Sequence, residues 1–270
     1  MRTGPLRLGG VPEHFNLPWH LALASDHLGP DDATWEDQYG GTGEMLAKLD
    51  AAELDVVSIL TEGTVKAIDR GMPLTVLQVY VASPLQWGVF VPGASAVRDE
   101  GELAGARIAI SRFNSGSHLM SFLHAERHGW QLTDDRFVVV KNLDGAIDAF
   151  DNGNADLFLW EQHMCRPLVD RGTFRQVGVL ETPWPSFVIA VRNEVLHART
   201  TEVGRVVDAV IEEATALHQR PDVVPMIAER YGLDDRTVRS WLDSTRFVER
   251  SAMDPEIATT VVDTLARAGF

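Results

Sequence analysis

Apolar positions along the chain alternate between two rhythms. Leu6-Arg7-Leu8-Gly9-Gly10-Val11 has the two-residue period of a strand and stops at Pro12. Residues 17–28 then place Leu17, Leu21, Ala24 and Leu28 on one helical face, closed by Gly29-Pro30. A second, more polar strand is predicted over 33–39. Gly40-Gly41-Thr42-Gly43 turns from it into a helix over 44–52. Val56-Val57-Ser58-Ile59-Leu60 reads as a strand buried on both faces, and Thr61-Glu62-Gly63-Thr64 opens a helix over 65–70 that Gly71 ends. With a strand over 74–81, these successive strand–turn–helix units predict a parallel sheet.

The same alternation resumes after a strand at 86–91. A short helix over 98–103 precedes a strand at 107–110, the polar turn 111–117 and a helix over 118–128. A strand over 136–141, a helix over 143–152, a strand over 155–160 and a helix over 161–171 follow, then strands over 174–179 and 187–192. From Thr201 the pattern is helical throughout: 203–219, 221–231, 234–245 and 255–268. Two extended segments, 87–91 and 187–191, are candidate junctions between two α/β lobes, with 1–91 and 187–270 in the first and 92–186 in the second. Two connections between two lobes are the layout of a hinged protein that holds ligand in a cleft between them.

Composition narrows the functions this frame can carry. Against 24 Lys and Arg stand 39 Asp and Glu, a formal net charge of −15, which disfavours nucleic acid and anionic membrane surfaces as partners. An anionic ligand must therefore be held by local groups against the global field. Cys165 is the single cysteine, so no intramolecular disulfide forms. No apolar run is long enough to span a membrane, and Met1 leads into the first strand without an export signal. The expected location is cytoplasmic for the sequence as written, and periplasmic or cell-surface if it is truncated.

The order of elements, together with Asp99-Glu100-Gly101-Glu102-Leu103-Ala104-Gly105-Ala106-Arg107-Ile108-Ala109 and the turn directly after it, resembles the type II periplasmic-binding-protein superfamily. The likeness is to the group holding nitrate-, taurine- and sulfonate-binding proteins and thiamine-pyrimidine-synthase-like proteins. Asp254-Pro255-Glu256 with Val261-Val262-Asp263-Thr264-Leu265 is similar to that group's closing helix. The resemblance implies a two-lobe α/β fold, with mixed, mostly parallel sheets flanked by helices and a two-strand hinge. It implies a small-molecule ligand in the cleft, and an ABC permease as partner if the protein is exported.

Ligands of open α/β sheets bind at the carboxyl ends of the strands, which gathers the post-strand turns into one candidate site. Ser111-Arg112-Phe113-Asn114-Ser115-Gly116-Ser117-His118 is its principal part. Here a helix start offers free N–H groups and a favourable dipole, with Ser115 and Ser117 adding hydroxyls and His118 a ring able to change charge near neutrality. The plain alternative is that Ser115 or Ser117 merely caps the helix. Phe113, Asn114 and Gly116 complete the turn. Phe15 and Asn16 follow the first strand, Gly41 and Thr42 form a second backbone-donor turn, and Glu62 and Gly63 a third with a carboxylate. Trp160-Glu161 ends a buried strand, and Trp184 sits in the stiff Thr182-Pro183-Trp184-Pro185. The set suits a small polar or anionic compound with a flat or apolar part.

No cofactor and no catalytic set is expected. Ser117 and His118 are helix neighbours that point apart, and no nucleophile elbow or phosphate loop is present. His124 and His128 lie four apart on a helix, but the run is His-Ala-Glu-Arg-His and no third metal ligand is suggested nearby. Solute binding is the leading function. A cytoplasmic enzyme of the same fold, menaquinone- or thiamine-pathway-like, is the alternative, and a detached sensory domain a third.

Overall fold

The computed structural model describes residues 4–29, 31–249 and 251–270. Met1 to Thr3, Pro30 and Arg250 lie outside that description, and so does the helix stop expected at Pro30. The chain divides into two compact units. Met1–Pro84 with Trp184–Asp263 forms the first, and Leu85–Pro183 with Thr264–Phe270 the second.

In chain order the first unit opens with β1 (Leu6–Gly10), α1 (Leu17–Ala24), β2 (Ala33–Asp37), α2 (Gly41–Asp50), β3 (Val56–Leu60), α3 (Thr61–Asp69) and β4 (Leu74–Val81). The second contains β5 (Gln86–Pro92), a 3-10 turn (Glu100–Leu103), β6 (Ile108–Ile110), α4 (Gly116–His128), β7 (Phe137–Val139), α5 (Leu143–Asp151), β8 (Leu157–Glu161), α6 (Gln162–Asp170) and β9 (Phe174–Glu181). The chain then returns to the first unit for β10 (Phe187–Arg192) and α7 to α10 (Asn193–Ala198, Thr200–Ala216, Val223–Tyr231, Asp235–Ser244). The last helix, α11 (Pro255–Arg267), gives its final residues to the second unit.

Each unit is built on one five-stranded sheet, and the two orders correspond: β2-β1-β3-β10-β4 and β7-β6-β8-β5-β9. In the first, β1 runs parallel to β2 and β3 while β10 runs antiparallel to β3 and β4. In the second, β6 runs parallel to β7 and β8 while β5 runs antiparallel to β8 and β9. The antiparallel strand is in both cases the first strand after the chain has crossed between units. The sequence pattern had assigned residues 85–91 to the first lobe. Their backbone instead hydrogen-bonds β8 and β9, so the junctions fall at Pro84/Leu85 and Pro183/Trp184, and residues 264–270 join the second unit.

Burial explains the strand sequences. Val56, Val57 and Ile59 of β3 and Val188 to Val191 of β10 are fully enclosed, as strands covered on both faces must be. In α8, Val203, Val206, Val207, Val210, Ile211 and Ala214 form the buried stripe, and this helix packs on α1. Several helices begin earlier than periodicity predicts. α3 starts at Thr61 directly from β3, and α4 starts at Gly116 because Ser115 caps it.

Glycines separate crowded from open positions. A Cβ on Gly93 would stand 1.8 Å from the Gly172 carbonyl oxygen, whereas one on Gly204, inside α8, meets nothing within 4 Å. Gly93→Ala is therefore expected to lower unfolding free energy by about 1–3 kcal/mol, as overpacking does. Gly204→Ala is expected to raise it by about 0.5–1 kcal/mol. Denaturant midpoints of the two variants against the parent test this, and equal midpoints would contradict it.

Candidate functional site

In each unit the parallel strands bring their carboxyl ends, and the turns that follow, to one edge of the sheet. In the first unit these turns follow β1, β2 and β3. Asn16 Nδ2 donates to the Val11 carbonyl at 2.7 Å and ties the chain back after β1, while its Oδ1 has no hydrogen-bond partner among the described residues. Phe15 is buried, its ring packed on Phe187 at 4.9 Å and Trp241 at 5.4 Å, and its carbonyl accepts from the Tyr80 hydroxyl at 2.8 Å. Gly41 adopts the left-handed conformation (φ 64°) at the start of α2, which a side chain would strain. Thr42 then packs onto Gly63, where an added Cβ would come 2.3 Å from the Thr42 methyl. The turns after β2 and β3 are thus fitted to each other.

Glu62 is the electrostatic centre of this edge. It lies in the first turn of α3 and only 4% of it is exposed. Trp184 donates its indole N–H to Glu62 Oε2 at 3.0 Å, and Oε1 has no hydrogen-bond partner among the described residues. Burial pushes the carboxyl up to about 7, and the hydrogen bonds from its own amide and from Trp184 only partly oppose this. The helix N-terminus favours the anion, but desolvation wins. Glu62 is therefore a carboxyl that changes charge near neutral pH while one oxygen stays fixed by an aromatic donor.

In the second unit the turns follow β6, β7 and β8. Ser117 Oγ accepts from Ser111 N at 2.9 Å and lies 3.1 Å from Ser115 Oγ, while Ser115 Oγ accepts from His118 N at 3.3 Å. The serines therefore brace the turn internally, and Ser115 caps α4 as the plain alternative required. His118 Nδ1 accepts from Asn114 N at 3.1 Å, which directs the proton of the neutral ring to Nε2. The His118 ring lies among Phe113, Phe122, Phe137 and Phe270, with centroids 4.5 to 5.2 Å away. Asn114 holds a left-handed backbone (φ 63°), and Phe113 presents 44% of its surface outward. Gly116, half-buried, opens α4.

Two cations border this turn. Arg112 lies inside it, half-buried, with its guanidinium pKa lowered by burial. Lys141, exposed and left-handed (φ 71°), follows β7 and donates its backbone N–H to the Ser111 carbonyl at 3.1 Å. At the end of β8, Trp160 stacks on Phe158 at 5.1 Å, and buried Glu161 caps α6 by accepting from Met164 N at 2.7 Å.

The fold thus brings Glu62 to Trp184 and Thr42 to Gly63 in one unit, and Ser111, Ser115, Ser117 and His118 together in the other. It places Phe15, Ser117 and Glu161 in structural contacts. Sequence reasoning passed over Arg112, Lys141 and Tyr39, which stands 80% exposed just before the Gly40-Gly41 turn. The strands end at Asp37 and Val139, earlier than periodicity predicts, so Tyr39 and Lys141 stand in turns and do not close strands. A hollow of about 1010 Å³ in the first unit, lined by Arg7, Asp55, Arg192 and Arg199 among others, lies at the opposite, amino edge of β1.

Residues 89–180 match the family described as Ca3427-like PBP. The structure of the Candida albicans CA3427 gene product, described as exhibiting the generic periplasmic binding protein structural fold, superposes with a TM-score of 0.90 at 28% identity, covering 98% of this chain and 90% of that one. The alkanesulfonate-binding protein SsuA from Xanthomonas axonopodis pv. citri, bound to MOPS, gives 0.81 at 19% identity over 100% and 94%. The Escherichia coli aliphatic sulphonate binding protein SsuA gives 0.75 at 19% over 98% and 92%. No curated protein sequence matches the chain. With the sheet orders above, these likenesses make the chain a member of the type II periplasmic-binding-protein-like superfamily. Among the described residues no helix is long and apolar enough to cross a membrane.

The Glu62 geometry gives a pH signature. A carboxyl whose folded pKa is raised adds stability that is complete below its unfolded pKa and is lost as pH rises through the folded value. With values of 4.5 and about 7, the parent should lose about 3 kcal/mol relative to Glu62→Gln across that window. Denaturant midpoints measured from pH 4 to 8 test this, and parallel profiles for the two proteins would refute the buried, titrating carboxyl.

Proposed function

We propose that the protein is a non-catalytic receptor for a small organic anion carrying a flat or apolar part, held at the strand-end turn after β6. The observation that carries this reading is the turn after β6. That turn carries Arg112 and the exposed ring of Phe113, leads into the amino end of α4, and is bonded by Lys141 through its backbone. In a chain of net charge −15 this is a local reversal of sign, and a helix start with two cations is what an anionic group requires. The Phe113 ring offers an apolar face beside it. Sulfonate-binding proteins among the structural relatives support the same ligand class. Asn114 and Gly116 offer further polar contact in the same turn. Delivery to an ABC permease follows from this reading if the protein is exported.

One observation favours a second reading. A buried carboxyl held near pH 7 is what a general acid or base needs, so Glu62 would serve an enzyme of this fold. Product formation from a bound compound, abolished by Glu62→Gln with binding intact, would decide for the enzyme.

A thermal-shift screen of alkyl and aryl sulfonates, carboxylates, pyrimidines and amines tests the receptor. A ligand at about a hundred times its Kd adds about 2.7 kcal/mol. Organic anions are expected to be the hits, and Lys141→Ala and Phe113→Ala should each weaken binding about tenfold, or about 1.4 kcal/mol. Lys141 is exposed, so its variant should move folding stability by less than about 0.5 kcal/mol, whereas Phe113→Ala also loses ring contacts with His118 and Phe137 and is compared at equal folded fraction. Hits confined to amines, or unchanged affinity in both variants, would overturn the assignment.

A further inference from the structure

Away from the strand-end turns, α4 carries His124 and His128 one helical turn apart, with ring centroids separated by 4.8 Å. The sequence offers no third donor beside them. The fold supplies it from the 3-10 turn that precedes β6. Asp99 caps that turn by accepting from Gly101 N at 2.8 Å, and Glu102 closes it by accepting from the amides of Arg98 and Asp99 at 2.9 and 3.0 Å. This locked turn projects Glu100 onto the histidines. Glu100 Oε2 stands 3.3 Å from His124 Nε2 and 3.8 Å from His128 Nε2, and all three donor atoms lie within 4.8 Å of one another.

The Glu100–His124 spacing is that of a coordination edge, and the longer spacings to His128 require its side chain to draw inward when an ion binds. A tetrahedral ion with ligands about 2.0–2.2 Å away holds its donor atoms about 3.3 Å apart. The three atoms are also buried, and beyond their contacts with one another none has a hydrogen-bond partner among the described residues. Leaving a buried donor or acceptor unsatisfied costs about 1–3 kcal/mol, and a single cation would satisfy all three.

The surroundings hold the set in place. Trp130 stacks on His128 at 4.6 Å and 18° and meets His124 edge-on at 5.5 Å. Arg127 lies 3.7 Å from Glu100 Oε1, the oxygen turned away from the histidines. Gly178 leaves the space behind Oε2 open, since a Cβ there would come within 2.4 Å of it.

We propose that Glu100, His124 and His128 form a binding site for a divalent transition-metal ion of the zinc class. Two imidazoles and one carboxylate are the donor set such ions select, whereas calcium and magnesium require oxygen ligands. Three protein ligands leave a fourth position for water or a further ligand. The site lies six to ten residues along α4 from His118, about 9–15 Å, and is separate from the candidate solute turn.

The test uses the full chain, stripped with a chelator and titrated with Zn²⁺ by calorimetry, with the metal content measured after gel filtration. About one ion per chain is expected, together with the d–d absorption of a tetrahedral site when Co²⁺ is substituted. His128→Ala and Glu100→Gln should each weaken Zn²⁺ binding by at least about tenfold and abolish the Co²⁺ spectrum. His128 is partly exposed (20%), so its variant remains informative should the change at Glu100 unfold the protein, and circular dichroism monitors both. Absence of Zn²⁺ binding by the parent, or undiminished stoichiometry and affinity in a folded His128→Ala protein, would overturn the proposal.

Discussion

Backbone hydrogen bonding of β5 and β10 is the constraint on which the remaining geometry depends. Each must be inserted antiparallel between one edge of a three-stranded parallel group and a further strand, and each is the first strand after the chain changes unit. With that strand fixed, the parallel groups β2-β1-β3 and β7-β6-β8 keep all their carboxyl ends on one edge of their sheets. Every turn named as a candidate site follows from that placement. The amino edge of the first sheet holds the hollow lined by Arg7 and Arg192.

Competition between desolvation and local polarity sets the chemistry at these edges. Glu62 keeps its proton to about neutral pH because burial outweighs the helix end and the Trp184 hydrogen bond. At the turn after β6 the serines satisfy one another, which rigidifies the backbone beneath the groups proposed to meet a ligand. The recognition surface proposed here is thus charged at its rim and braced by hydroxyls beneath.

Much of this fold was legible from periodicity alone. The enclosed run at β3, the return strand β10 and the helical tail could be read because burial on two faces or one stripe leaves a direct mark on sequence. Partnership between strands left none. Nothing in Gln86 to Val91 says which sheet accepts its backbone, and the segment was read into the wrong unit for that reason. Helix starts were read late at Thr61 and Gly116, since a cap or a strand that turns straight into a helix breaks no hydrophobic rhythm. Long-range pairings were likewise hidden. Glu62 and Trp184 lie 122 positions apart, and Glu100 meets His124 only through the packing of a short turn on α4. Lys141 escaped notice because its neighbour Ser111 becomes adjacent only when β6 and β7 pair.

A crystal structure of the chain with the organic anion that binds most tightly tests the central claim most directly. The account predicts the anionic group at the amino end of α4 beside Arg112 and Lys141, with the apolar part against Phe113. An anion seated instead at the amino edge of the first sheet, between Arg7 and Arg192, would contradict it.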